Sequence, residues 1–242
     1  MGIVEAATST ISPCMTSNMQ ESFCEPKPRA TPGYYEPFKW PRGAVTRLEP
    51  AAARPNVDIA QVLQERQSRR LLDAIPLSEL GALLWLTCRT HSLRSSEFGF
   101  DQEFRPYPSA GAMHPIHVVC QRSAGMPWER YEPLEHVLVG VPDTEELAQS
   151  AREKAANILP TSEAVLVGLV AEPGKTAAKY EGAESLVWRD AGVLLGYLSL
   201  VTETLGLGFC PLGMTGNLYL APISPAGQLH GVGLAVVGAQ VR

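Results

Sequence analysis

Three short stretches of this chain carry the residue types that chemistry needs. The first is Arg66-Gln67-Ser68-Arg69-Arg70. Guanidiniums flanking a hydroxyl form a phosphate clamp, because each arginine offers paired, charge-assisted hydrogen bonds. A solvated basic turn would look the same. The second stretch is Arg105-Pro106-Tyr107-Pro108-Ser109-Ala110-Gly111-Ala112-Met113-His114-Pro115, which runs into the apolar segment at Ile116. Small residues between prolines let a planar ligand approach the backbone closely, and the same punctuation also suits a tight loop-to-strand connection. The third stretch runs from Gly206-Leu207-Gly208-Phe209-Cys210 through Pro211-Leu212-Gly213-Met214-Thr215-Gly216. Its four glycines in eleven residues expose main-chain N–H groups to an acceptor atom of a cofactor. Equally, Gly206 could be only a helix C-cap.

Other chemistries lack their signatures. His91, His114, His117, His136 and His230 show no HExxH or comparable spacing, so no metal site is expected. Ser109 does not sit in a GxSxG nucleophile elbow. GxGxxG after a strand and GxxxxGK[ST] are both missing, which argues against a Rossmann site and a P-loop. A net charge of -5 leaves no basic face for the phosphate backbone of nucleic acid. Five cysteines, none paired at CxxC spacing, fit reduced thiols in the cytoplasm better than a disulfide framework. No basic segment followed by an apolar run marks a secretory signal, and no apolar stretch is long enough to suggest a membrane span.

The elements that must position these residues follow from the hydrophobic pattern. Residues 1–55 hold eight of the twenty prolines and are expected to form an extended arm or to be partly disordered. Its aromatic cluster, Tyr34, Tyr35, Phe38 and Trp40, should dock on this subunit or on a partner. A domain of residues 56–242 follows. Asp58 caps a helix carrying Ile59, Val62 and Leu63, and a second helix opens at Ser78. Residues 92–106 read as loop. Ile116–Cys120 and His136–Val141 read as strands, and Asp143 as the cap of a helix carrying Leu147, Ala148, Ala151 and Ala155. Ala164–Val170 is apolar almost throughout and suits a buried central strand, and Val232–Val237 reads as the last strand. Residues 185–205 are apolar on nearly every face, so that helix belongs in a core or a subunit interface. Helices and strands mix without regular alternation, which indicates an α+β sheet packed by helices.

The three stretches, in this order, resemble the nitroreductase superfamily. There an RRSxR motif precedes a PSAGA-type loop leading into a strand, and an Asp-Ala-Gly-initiated long helix ends in a G-L-G-x-C-P segment. This chain shows Arg66–Arg70, Pro108–Pro115, and Asp190-Ala191-Gly192 through Gly206–Pro211, so the resemblance covers about residues 58–240. It implies a central antiparallel-rich sheet flanked by helices and an FMN-dependent homodimer built on the 185–205 helix, with FMN at the subunit interface. Arg66, Ser68 and Arg70 would hold the phosphate and ribityl chain. Pro108, Ser109, Ala110 and Gly111 would line the isoalloxazine, while Pro211, Leu212 and Gly213 would bring backbone to its reactive nitrogen. Within the superfamily the PSAGA loop is closer to the azoline dehydrogenases, which oxidise peptide-derived thiazolines and oxazolines to azoles. Lys179-Tyr180 stands where that branch carries a catalytic pair, and burial beside a flavin would let the lysine act as a base. Lys175, four residues upstream, is expected to do little. Gln67 replaces the family's second arginine, and His114 stands where branch members usually have Tyr. Reduction of nitroaromatics, quinones or enones by NAD(P)H, and a non-catalytic partner subunit of the same fold, are the alternatives.

Overall fold

In the computed structural model, residues 25–51, 56–159 and 163–241 are described. Residues 1–24, the first part of the proline-rich stretch, lie outside them.

From residue 25 the chain runs extended, as its prolines require. It forms two short strands, β1 (Lys27–Pro28) and β2 (Val45–Arg47). Asp58 then caps α1 (Ile59–Glu65), its carboxylate accepting from the Ala60 N–H at 2.9 Å. A short strand β3 (Leu72–Asp73) leads to α2 (Leu77–Cys88), which starts one residue before Ser78 with Pro76 as its cap. The stretch expected to be loop, residues 92–106, contains a hairpin, β4 (Ser92–Arg94) on β5 (Gln102–Phe104). β4 is exposed throughout, and the inward-facing residues of β5, Gln102 and Glu103, are polar, so no apolar alternation announced it.

The main sheet is assembled next from β6 (Ile116–Gln121), β7 (Glu129–Glu132) and β8 (Val137–Gly140). Helix α3 (Glu145–Ala156) is capped by Thr144 rather than Asp143. Asp143 sits at φ 60° in the preceding turn, and the Thr144 hydroxyl accepts from the Trp128 N–H while donating to the Val141 carbonyl. Strand β9 (Val165–Ala171), helix α4 (Pro173–Ala177) and strand β10 (Tyr180–Glu181) lead into the long α5 (Glu184–Thr204). The chain closes with β11 (Leu207–Leu212), α6 (Asn217–Leu220) and β12 (His230–Gln240).

Strand order is β11-β12-β9-β6-β7-β8-β2, with β3 pairing the end of β12, and every pairing is antiparallel. Side chains alternate between two cores because successive residues of a strand face opposite ways. Val118, Val167 and Leu169 pack with α2 and α5, whereas Val119, Leu166 and Val170 pack with α3 and α6. Strand β9 is buried on both faces, which explains its unbroken apolar sequence. Phe38 and Trp40 of the N-terminal stretch pack onto the second core of this same subunit, while Tyr34 is 78% exposed.

Helix α5 is only partly enclosed within one chain. One face is buried through Val187, Ala191, Leu194 and Leu198. The other leaves Trp188, Gly192 and Gly196 exposed, and a β-carbon on either glycine would meet nothing within 4 Å.

Candidate functional site

The Ser109–His114 turn is held from two sides. Asp190, buried on α5, accepts from the Ser109 hydroxyl at 2.6 Å and from the Ala110 N–H at 3.1 Å. The Ser109 oxygen in turn accepts from the His114 N–H at 2.9 Å. Burial raises the Asp190 carboxyl's pKa, and these hydrogen bonds work against that rise. Within the turn Gly111, Ala112 and His114 adopt φ of 60°, 57° and 43°. For the alanine and the histidine this left-handed region is strained.

On the opposite side stands the segment carrying the two lysines. The Gly111 carbonyl accepts from Lys179 Nζ at 3.2 Å and from the Gln102 amide at 2.9 Å. The His114 carbonyl accepts from Lys175 Nζ at 3.3 Å. A β-carbon at Gly111 would lie 2.7 Å from the Tyr180 hydroxyl and 2.9 Å from Lys179 Nζ. Only glycine lets the pair come this close. The N-terminal strand holds the same segment from outside, the Arg29 N–H donating to the Lys179 carbonyl at 2.9 Å. Lys179 opens onto a cleft of about 650 Å³ lined also by Phe98, Gln102, Arg29 and Arg94.

Behind the turn lies a buried charge cluster that sequence reasoning missed. Glu103 accepts from Thr90 and from two nitrogens of Arg105, whose side chain is 3% exposed. Burial alone would raise its carboxyl pKa, but Arg105, Lys175 and these hydrogen bonds outweigh it and hold the value at about 2. Lys175, expected to do little, is buried on α4 with its ammonium 4.0 Å from Glu103. Burial and then the Arg105 charge push it down to about 8, against the pull of Glu103 and Glu172. Glu172 accepts from His117 at 2.7 Å and Tyr35 at 2.9 Å. Burial and Arg105 push His114 down to about 3, so its imidazole is neutral. The available signal for this cluster was charged residues standing next to strands, but such residues are far more often solvated.

The arginine stretch lies elsewhere, beside β11. The Arg69 N–H donates to the Phe209 carbonyl at 3.0 Å, and its guanidinium pairs with Glu203 at 3.2 Å. That close approach requires Gly208, whose β-carbon would fall 3.0 Å from Arg69 Cβ and 2.2 Å from the Leu72 side chain. Residue 69 is therefore a structural arginine. Among the described residues no side chain hydrogen-bonds the Arg66 or Arg70 guanidinium or the Ser68 hydroxyl, and the Arg70 charge acts on the Cys210 thiol, whose pKa burial raises. The glycine-rich run expected to expose backbone is mostly strand, fully paired with β12 from Leu207 to Leu212. Pro211 is tolerated because β11 is an edge strand. Gly213, just past it, is open, with nothing within 4 Å of a β-carbon.

The fold thus unites Arg66–Arg70 with β11, and Pro108–Gly111 with Lys179 and Tyr180. It does not unite the two groups within one chain. They meet α5 at Asp190 and at Glu203, about 20 Å apart along the helix at 1.5 Å per residue. Among the described residues no cluster of His, Cys, Asp and Glu could hold a metal ion, and no helix is long and apolar enough to cross a membrane.

Comparison with known proteins agrees with this architecture. The family model described as Nitroreductase family matches residues 63–224, and the chain belongs to that family. No curated protein matches it in sequence. Among solved structures, a protein of Ralstonia eutropha JMP134 assigned as a nitroreductase superposes with a TM-score of 0.58 at 18% identity, over 88% of this chain and 98% of its own. The Escherichia coli microcin synthetase McbBCD complex with truncated pro-MccB17 bound gives 0.55 at 17% identity, over 79% and 76%. A Staphylococcus epidermidis protein assigned as an NAD(P)H:FMN oxidoreductase gives 0.52 at 14%, over 79% and 91%. These likenesses establish a nitroreductase-like α+β fold.

Proposed function

We propose that this chain is an FMN-dependent oxidoreductase that dehydrogenates an azoline-type, peptide-derived or small heterocyclic substrate, working as a homodimer in a biosynthetic pathway. The observation that carries it is the packing of Lys179 Nζ and the Tyr180 hydroxyl against Gly111 of the PSAGA turn. Aromatising an azoline removes a carbon-bound proton together with a hydride. FMN, when bound, supplies the hydride acceptor. Lys179, at the mouth of the cleft, is the base that takes the proton, and Tyr180 stands beside it. Arg66, Ser68 and Arg70 fit the phosphate and ribityl chain, since their donors have no protein partner among the described residues. Pro108, Ser109, Ala110 and Gly111 would line the ring, and the Leu212-Gly213 backbone past Pro211 would meet its reactive nitrogen.

The homodimer follows from the separation of the two groups of residues. Two copies packed through the exposed face of α5, with the helices antiparallel, bring the arginine stretch of one to the PSAGA turn of its partner. The open α-carbons of Gly192 and Gly196 permit that close approach. Cys88, Cys120 and Cys210 are buried free thiols, as suits the reducing cytoplasm. The Escherichia coli neighbour is an assembly with a pro-peptide, which favours a partner protein for this chain as well.

Replacing Lys179 with alanine tests the assignment. The variant should fold and bind FMN yet oxidise substrate at least ~10²-fold more slowly, the usual contribution of a positioned base. Turnover at the wild-type rate would remove Lys179 from the chemistry. The Staphylococcus epidermidis neighbour favours a second function, reduction by NAD(P)H of nitro, quinone or enone compounds. Anaerobic bleaching of the bound flavin by NAD(P)H would select it.

A further inference from the structure

We infer that Lys175 is a positioning residue which, together with Lys179, clamps the left-handed turn at 111–114 and so sets where the Lys179 amine stands. The role rests on Lys179 being the base proposed above. The two lysines are four residues apart, on α4 and just past its end, which places both on one side of that turn of helix. Each holds one carbonyl of the turn, Lys179 that of Gly111 at 3.2 Å and Lys175 that of His114 at 3.3 Å. Between those carbonyls lie Ala112 and His114, both at positive φ. A turn strained at two such residues relaxes unless its surroundings hold it. Asp190 secures its start, through Ser109 and Ala110, and the Ser109 hydroxyl accepts from the His114 N–H at 2.9 Å. Lys175 holds the last carbonyl, that of His114.

Filling space does not explain the residue. Lys175 is 5% exposed, and among the described residues its ammonium has one hydrogen-bond partner for three donors. Its other neighbours are the Glu103 carboxylate at 4.0 Å and the Phe100 ring at 5.1 Å. The charges that act on it are Arg105, Glu103, Glu172 and Glu132, and burial with Arg105 prevails, leaving the amine at about 8. A methionine would occupy the same volume without desolvating a charge. What it could not do is hold the His114 carbonyl. Protonated, the amine makes a charge-assisted bond, and the neutral amine above pH 8 makes a weaker one.

Amide hydrogen exchange of full-length protein decides the matter without flavin or substrate. In Lys175→Met the Ala112, Met113 and His114 amides should lose protection about tenfold, the equilibrium equivalent of one such bond, while the sheet amides of β9 and β12 keep theirs. Lys175→Arg should restore most of it. With substrate, Lys175→Met should lower kcat about tenfold with KM little changed. In wild type the protection of the turn should fall as pH rises through about 8, and in Lys175→Met it should not. Unchanged protection in Lys175→Met overturns the clamp. If that variant does not fold, flat wild-type protection across the same pH range overturns it instead. Wild-type turnover by Lys179→Ala would remove the catalytic assignment while leaving the exchange result to stand by itself.

Discussion

Replacing Glu103 with glutamine should destabilise the protein by about 3 kcal/mol at pH 7, and the loss should vanish in acid. The figure follows from the carboxyl's shift from 4.5 to about 2 on folding, at ~1.4 kcal/mol per unit. Burial acts against the ionised form, so the shift is the net surplus of Arg105, Lys175 and the Thr90 and Arg105 hydrogen bonds over desolvation. The folded pKa lies below the unfolded one, so this stability is present above pH 4.5 and is lost as pH falls toward 2. By about pH 3 less than roughly half of it remains. Glutamine keeps one acceptor oxygen but leaves the Arg105 guanidinium buried with no counter-charge at that position, a cost of the same size. Urea denaturation of wild type and Glu103→Gln at pH 7 and at pH 3 measures both numbers. A difference under about 1 kcal/mol at pH 7, or one that does not shrink in acid, would refute the account of the cluster.

Arg66→Ala with Arg70→Ala should lower FMN occupancy sharply, since each removes charge-assisted bonds worth ~1.5–3 kcal/mol. Absorbance of the purified double variant reads it, and undiminished flavin content would remove the phosphate clamp. Gly192→Arg with Gly196→Arg should fold, because both sites are open in the single chain and arginine favours helix over glycine. Light scattering should then give a mass near 26.1 kDa in place of twice that, and a persisting dimer would place the interface elsewhere. Asp190→Ala should cost about 2–3 kcal/mol net of the relieved desolvation and leave the Ala110 amide exchanging freely. Intact protection there would show that the turn holds itself.

The sequence by itself determined many of the elements and where reactive residue types occur. Unbroken apolar runs such as Val165–Ala171 report burial on two faces, and Asp58 announces α1 through its own backbone geometry. These are local facts, written within a few residues of where they act. The order of the arginine, PSAGA and G-L-G-x-C-P stretches was legible too, and it carried the family. Tertiary structure decided everything that depends on distance across the fold. Arg69 and Arg70 are alike in sequence, yet only residue 69 meets Glu203, because Gly208 lets that point of the chain lie on β11. The hairpin at 92–104 was hidden because the residues it turns inward, Gln102 and Glu103, are polar and are held by hydrogen bonds rather than by an apolar face. Lys175 and Lys179 have similar neighbours in sequence, but one is enclosed by Glu103, Arg105 and Glu172 while the other borders the cleft. Burial, and with it the charge a lysine can keep, is a property of what packs around a side chain from elsewhere in the chain, and four residues of local sequence do not encode it.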